Sequence, residues 1–197
     1  ESAKRLGVPF LYRAGDARRT SRELRLSPEA GARQLRYTAL MDMSAEAGAV
    51  RIATAHHADD GLETYLVARE RRGGVASLAG PRERRDDGLV RPLLSVSRAE
   101  ILSYLLERKI SWRRDASNGD LRLARNRIRR ELAAANPSQR AQWTEEAQRW
   151  SRLRERIDRD YEEKIAPSLR RGPGSVLADA ELFERCEPEL RRRAVEA

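Results

Sequence analysis

The feature that most constrains this chain is a junction. Residues 50–55 (VRIATA) form a short apolar run rich in β-branched side chains, and an apolar 3.6-residue period takes over at residues 59–69. A buried strand passing directly into a helix is the unit from which parallel sheets are built. Residues 8–12 (VPFLY), after Gly7, read as another buried strand. Ser27 followed by Pro28 reads as a helix start, a capping hydroxyl and then proline at the first helical position. That helix should run through Leu35 and Leu40 towards Ala47 and stop at Gly48. Gly73, Gly74, Gly80 and Pro81 mark a loop, and Asp86-Asp87-Gly88 a turn. Ser97-Arg98-Ala99-Glu100 is a capping box ahead of Ile101, Tyr104 and Leu105, which share one helical face. The expected fold class is therefore α/β, with a parallel sheet.

The pattern changes after Asn136-Pro137. Trp143, Ala147, Trp150, Leu153, Ile157, Tyr161 and Ile165 recur at spacings of three and four, which predicts one long amphipathic helix. Gly172-Pro173-Gly174 breaks it, and further helix follows Pro188. A boundary near Pro137 is expected, with an α/β part over 1–137 and a small all-helical part over 138–197. Trp143 and Trp150 read as core of the second part, and Trp112 as core of the first.

The densest chemistry lies in residues 53–64 (ATAHHADDGLET), with both histidines of the chain and three carboxylates at the strand-to-helix junction. Ligands of open α/β sheets bind at the carboxyl ends of strands, so the position suits a site. Asp60 and Glu63, three apart on a helix, project to one side and suit a cation or an ammonium group. Three readings stay open from the residues alone: a catalytic or ligand site, a metal hydrolase using His and Asp, and an Asp59 N-cap with acids placed against the helix dipole.

The formal net charge of +9 is concentrated. Residues 69–130 hold 17 basic and 8 acidic side chains, and the rest of the chain is balanced. Such a block reads as a phosphate-backbone surface, or as the solvated face of an arginine-rich chain. A single cysteine, Cys186, excludes disulfides and cysteine-built metal clusters within the chain and reads as a small buried apolar residue. No apolar run reaches the roughly 20 residues that span a bilayer, and no targeting signal is visible, so a cytoplasmic protein without membrane contact is expected. A homodimer is compatible with the sequence.

Four segments resemble one family. Residues 56–64 (HHADDGLET) are similar to the HHxxDQxET signature of tRNA(Ile)-lysidine synthetases, which are PP-loop ATP pyrophosphatases. Residues 33–37 (RQLRY) resemble that family's RxxRY helix and residues 91–94 (RPLL) its RPLL turn. Residues 115–118 (DASN) with 125–129 (RNRIR) match its D-x-S-N…R-N-x-x-R pattern. Gly61 stands where the family carries glutamine. The resemblance implies a PP-loop domain over 1–137 and a helical substrate- or tRNA-binding domain over 138–197. It implies ATP and Mg²⁺, with L-lysine and the minor isoleucine tRNA (anticodon CAU) as substrates. ATP would adenylate O2 of the wobble cytidine, and the lysine ε-amine would then displace AMP from C2. Arg33 and Arg36 would face ATP. Asp60, Glu63 and Asp115 would hold lysine, with His56 as proton acceptor. Arg125 and Arg129 would act in catalysis and, with Asn126 and Arg130, meet the tRNA. No resident metal is implied.

The family's SGGxDS pyrophosphate loop is expected upstream of Glu1. Arg71-Arg72-Gly73-Gly74 cannot replace it, because it follows a helix instead of opening one. The chain accordingly reads as a piece of a longer enzyme, inactive alone, with a further tRNA-binding domain expected beyond Ala197. A PP-loop tRNA thiolase and a non-catalytic RNA-binding protein are the alternatives.

Overall fold

The computed structural model describes residues 2–112, 124–172, 175–177 and 179–195. Asp115, Ser117 and Asn118 lie outside them. Two compact units emerge: Glu1–Ala55 with Glu83–Pro92, and His56–Arg82 with Leu93–Ala197. This grouping differs from a division at Pro137.

In the first unit, α1 (Ser2–Arg5) is followed by α2 (Ala17–Glu23) and α3 (Pro28–Glu46). Asp16 caps α2 by accepting from the backbone N–H of Arg18 and Arg19, and the Ser27 hydroxyl accepts from Ala30 N–H at the start of α3. The two helices meet so closely at Gly31 that a Cβ there would lie 2.8 Å from the Ser21 Cα. β1 (Ile52–Ala53) pairs in parallel with β2 (Leu89–Val90), Ile52 opposite Leu89. The parallel pairing expected from the sequence is present, although the strands are shorter than the apolar runs. The expected strand at residues 8–12 does not form. Val8, Phe10 and Tyr12 are exposed, and a strand is held by a neighbour's ladder, which no described residue supplies there.

The second unit is helical. α4 (Ala58–Glu70), α5 (Val75–Leu78), α6 (Arg98–Glu107), α7 (Ala124–Ala134) and α8 (Pro137–Asp160) follow in chain order. The core joins Leu62, Tyr65 and Leu66 of α4 to Leu78, to Ile128 and Leu132 of α7, and to Trp143 of α8. Leu66 is fully buried, worth about 2 kcal/mol for such a side chain. Trp143 is thus core, but core shared with α4, and Trp150 packs on the same cluster. Trp112, expected in a core, is 41% exposed.

α8 passes into a π-helical turn at Tyr161–Ile165 just ahead of Pro167. Proline lacks an N–H and its ring clashes with the carbonyl four residues back, which opens the turn. Tyr161 and Ile165 form a smaller core with Ile157 and Leu190. The segment expected to be helical throughout also carries a short antiparallel pair, β3 (Arg170–Gly172) with β4 (Ser175–Leu177), before α9 (Ala180–Arg185) and α10 (Pro188–Val195). Among the described residues no helix is long and apolar enough to cross a membrane.

Candidate functional site

α4 starts at His57, whose backbone is extended and whose N–H donates to Asp60 Oδ2 at 2.9 Å. Asp60 therefore caps the helix, and the expected Asp59 cap gives way to another role. Asp59 lies one residue into the helix and points to its neighbours. Its Oδ2 accepts the Arg98 N–H at the start of α6 (2.8 Å), and its Oδ1 accepts Arg140 Nη2 of α8 (2.7 Å). Burial raises the Asp59 pKa, but the Arg98 N–H and the Arg140 guanidinium outweigh it and hold the carboxyl below the usual carboxylate range. Ala58 N–H also donates to Val96 O at 2.9 Å. The turn after RPLL is in this way stitched to the first turn of α4.

His57 lies among these carboxylates. Its Nε2 lies 3.5 Å from Asp60 Oδ2 and its Nδ1 3.9 Å from Asp59 Oδ2. Nδ1 is buried without a hydrogen-bond partner. His56, singled out from the sequence, is half-buried just before the helix. Glu63, one turn after Asp60, is 5% exposed, and its Oε1 accepts Arg129 Nε of α7 at 2.8 Å. That hydrogen bond, helped by the charges of Glu63 and Asp60, raises the Arg129 pKa above its ordinary value despite partial burial.

The HHADDGLET and RNRIR segments are thus brought together through Glu63 and Arg129. Arg125 is half-buried one turn before Arg129, Asn126 is buried, and Arg130 is exposed. Glu63 was expected to hold an ammonium group; its carboxylate is instead engaged by Arg129. Asp60 makes no ion pair with an arginine among the described residues, and its Oδ2 accepts the His57 N–H.

Arg33, Arg36 and Tyr37 belong to the other unit. Arg33 lies over the Tyr37 ring at 4.7 Å and Arg85 at 5.7 Å, while Arg91 Nη2 reaches the Tyr37 hydroxyl at 3.5 Å. Arg91 is 2% exposed, so the arginine of RPLL is an internal partner of the RxxRY tyrosine. Arg36 is exposed on α3. Sequence reasoning missed His57, Asp59 and Arg140. Arg140 lies 81 residues from its partner, in a helix whose arginines all look alike in the sequence.

The donor set does not fit a metal held by protein side chains alone. Asp59 and Glu63 face arginines, and among the described residues no three His, Cys, Asp or Glu converge on an ion-sized site. Mg²⁺ would have to be held chiefly by the phosphates of a nucleotide.

Residues 1–136 match the family model of the PP-loop domain. The tRNA(Ile)-lysidine synthase of Porphyromonas gingivalis is 42% identical over 137 residues, covering 68% of this chain and 30% of that protein. The enzyme of the same name from Chlorobaculum tepidum is 39% identical over 129 residues, 66% of this chain and 39% of the relative. That of Solibacter usitatus is 39% identical over 146 residues, 73% and 30% respectively. The chain spans about a third of the length of these curated relatives. A match over more than two thirds of its residues, with paired motifs in contact within each unit, shows that the chain belongs to the PP-loop domain family.

Proposed function

We propose that this chain is the core of an ATP-dependent ligase that joins L-lysine to C2 of the wobble cytidine in the CAU isoleucine tRNA. The observation that carries the reading is Asp60, an acid with no arginine ion pair among the described residues, beside the buried Glu63–Arg129 pair at one helix start. Cytidine O2 attacks the α-phosphorus of ATP and diphosphate leaves. The lysine ε-amine then attacks C2 and AMP leaves. The ammonium must lose a proton before it attacks, and Asp60 with the imidazole of His57 supplies an acid to hold it and a base to receive the proton. Arg129, fixed by Glu63, presents a guanidinium to the anionic adenylate, with Arg125 one turn away on the same helix. Mg²⁺, where it enters, comes with ATP. The names of the relatives support lysine and tRNA as substrates.

The test is ATP-dependent incorporation of labelled lysine into the isoleucine tRNA, with a methionine tRNA of the same anticodon as control, using protein made from the complete coding sequence. Incorporation into the isoleucine tRNA alone is expected. Asp60→Asn should raise KM for lysine about tenfold or more, and an unchanged KM would remove Asp60 from this role.

A further inference from the structure

Some arginines of the second unit are held inside it. Arg82, Arg129, Arg140, Arg154 and Arg193 each hold an acid or a carbonyl at 2.6–2.9 Å within the unit. Arg71, Arg72 and Arg192 are exposed and make no ion pair among the described residues. They come from two elements, the end of α4 and α10. Arg71 and Arg72 end α4, and a Cβ built on Gly74 would lie 3.9 Å from Arg192 Nη1 of α10. Arg127 of α7 joins them through a long 3.7 Å pair to Glu70, in the last turn of α4. Glu70 and Glu146 face Arg127 and Arg69 respectively, and Arg71, Arg72 and Arg192 have no acid paired to them among the described residues.

Two properties of this cluster work against the fold and in favour of a ligand. Unpaired like charges repel one another, and an anion bound among them relieves that repulsion. Arg72 also sits at φ +52°, where glycine is the cheaper residue. Arg25 and Lys109 share that conformation, so the backbone alone does not set Arg72 apart; its unpaired neighbours do.

We infer that Arg71, Arg72, Arg127 and Arg192 form a binding surface for the phosphate backbone of the tRNA, at the end of α4 opposite the Asp59–Asp60 carboxylates. This rests on the tRNA reading above. α4 spans 13 residues, which puts its two ends about 18 Å apart along the axis. An RNA strand running along the helix meets guanidinium groups at one end while its reacting base lies at the other. Phosphate contacts of this kind set register and carry no base specificity.

The test compares tRNA affinity and its salt dependence for the unaltered protein and the triple variant Arg71→Gln, Arg72→Gly, Arg192→Gln. Glycine suits the backbone at position 72, so the fold is retained, and the melting temperature checks this. Arg149→Gln with Arg185→Gln, on ion-paired surface turns of α8 and α9, is the control. The unmodified CAU isoleucine tRNA is the probe. The triple variant should bind ten- to a hundredfold more weakly at about 0.1 M salt, with a logarithmic salt slope smaller by about two. An unchanged slope, or an equal loss in the control, would overturn the surface. The lysine assay separates the two readings. Ligation with undiminished triple-variant affinity sinks the surface alone. Salt-dependent binding lost in the triple variant, without ligation, sinks the ligase reading alone.

Discussion

Glu63 shows how much one buried charge depends on one partner. Its carboxylate is almost wholly enclosed, so Arg129→Ala would strand it without a cation. The expected loss is about 2–3 kcal/mol, below the value for fully buried pairs because 35% of the Arg129 side chain is open to solvent. Chemical denaturation of the variant measures it, and a loss under 0.5 kcal/mol would make the pair a surface contact of roughly that worth. Asp59 gives a pH signature. Its folded pKa lies below the ordinary 3.8, so its contribution is present above that value and lost as pH falls through the lowered one. Arg140→Ala should therefore be less stable than the parent at neutral pH, with the gap closing below about pH 4. A gap constant through the acid range would place the Arg140 contribution elsewhere. Gly61 offers the reverse case. A Cβ there meets nothing within 4 Å, so the Gly61→Gln change has room. It should raise stability by about 0.5–1 kcal/mol through helix propensity alone, read as a higher melting temperature.

Helix ends carry the next lesson. α2, α3, α4 and α6 all close with the same pair of backbone hydrogen bonds. In α4 the Gly73 N–H donates to Ala68 O and the Arg72 N–H to Arg69 O; in α6 Ile110 and Lys109 do the same to Leu105 and Leu106. The residue that must take positive φ is glycine at α3, Gly48 at +61°, but arginine or lysine at the other three. Cationic side chains favour the negative helix end, which offsets part of the conformational cost. Gly48 was legible as a stop because glycine is the usual signal; Arg25, Arg72 and Lys109 carry none. Lys109→Gly should stabilise α6 by about 0.5 kcal/mol, and a lower melting temperature would mean that the lysine charge outweighs its backbone strain. Starts were more readable than stops. Ser27 and Ser97 cap as their side chains predict, since a cap is a local hydrogen bond, and Asn136 caps α8 in the same way. Gly31 matters for a different reason, the approach of α2. Gly31→Ala should cost about 1–3 kcal/mol despite alanine's better helix propensity, because the new methyl meets Ser21 backbone.

Across the whole molecule, the segment after Pro137 completes the core that holds the candidate site. Trp143 packs in the cluster with Leu66 and Ile128, with Ala147 and Trp150 against it. A chain cut after Asn136, which keeps every motif, should lose cooperative unfolding of the α4–α7 core. Limited proteolysis and thermal melts would show this, and an unchanged melt would mean that α8 is dispensable. The sequence alone determined the strand that leads into α4 and the capped starts of α3 and α6. Each of these is set by neighbours in the chain, through period, capping and local charge. Only the tertiary structure decided which charges meet. It put Arg129 on Glu63, Arg140 on Asp59 and Arg91 on Tyr37, and placed His57 among the carboxylates. In a chain with 40 basic and 31 acidic residues, spacing along the sequence cannot choose among so many equivalent partners. Long-range packing chooses, because burying one carboxylate fixes which guanidinium must lie beside it.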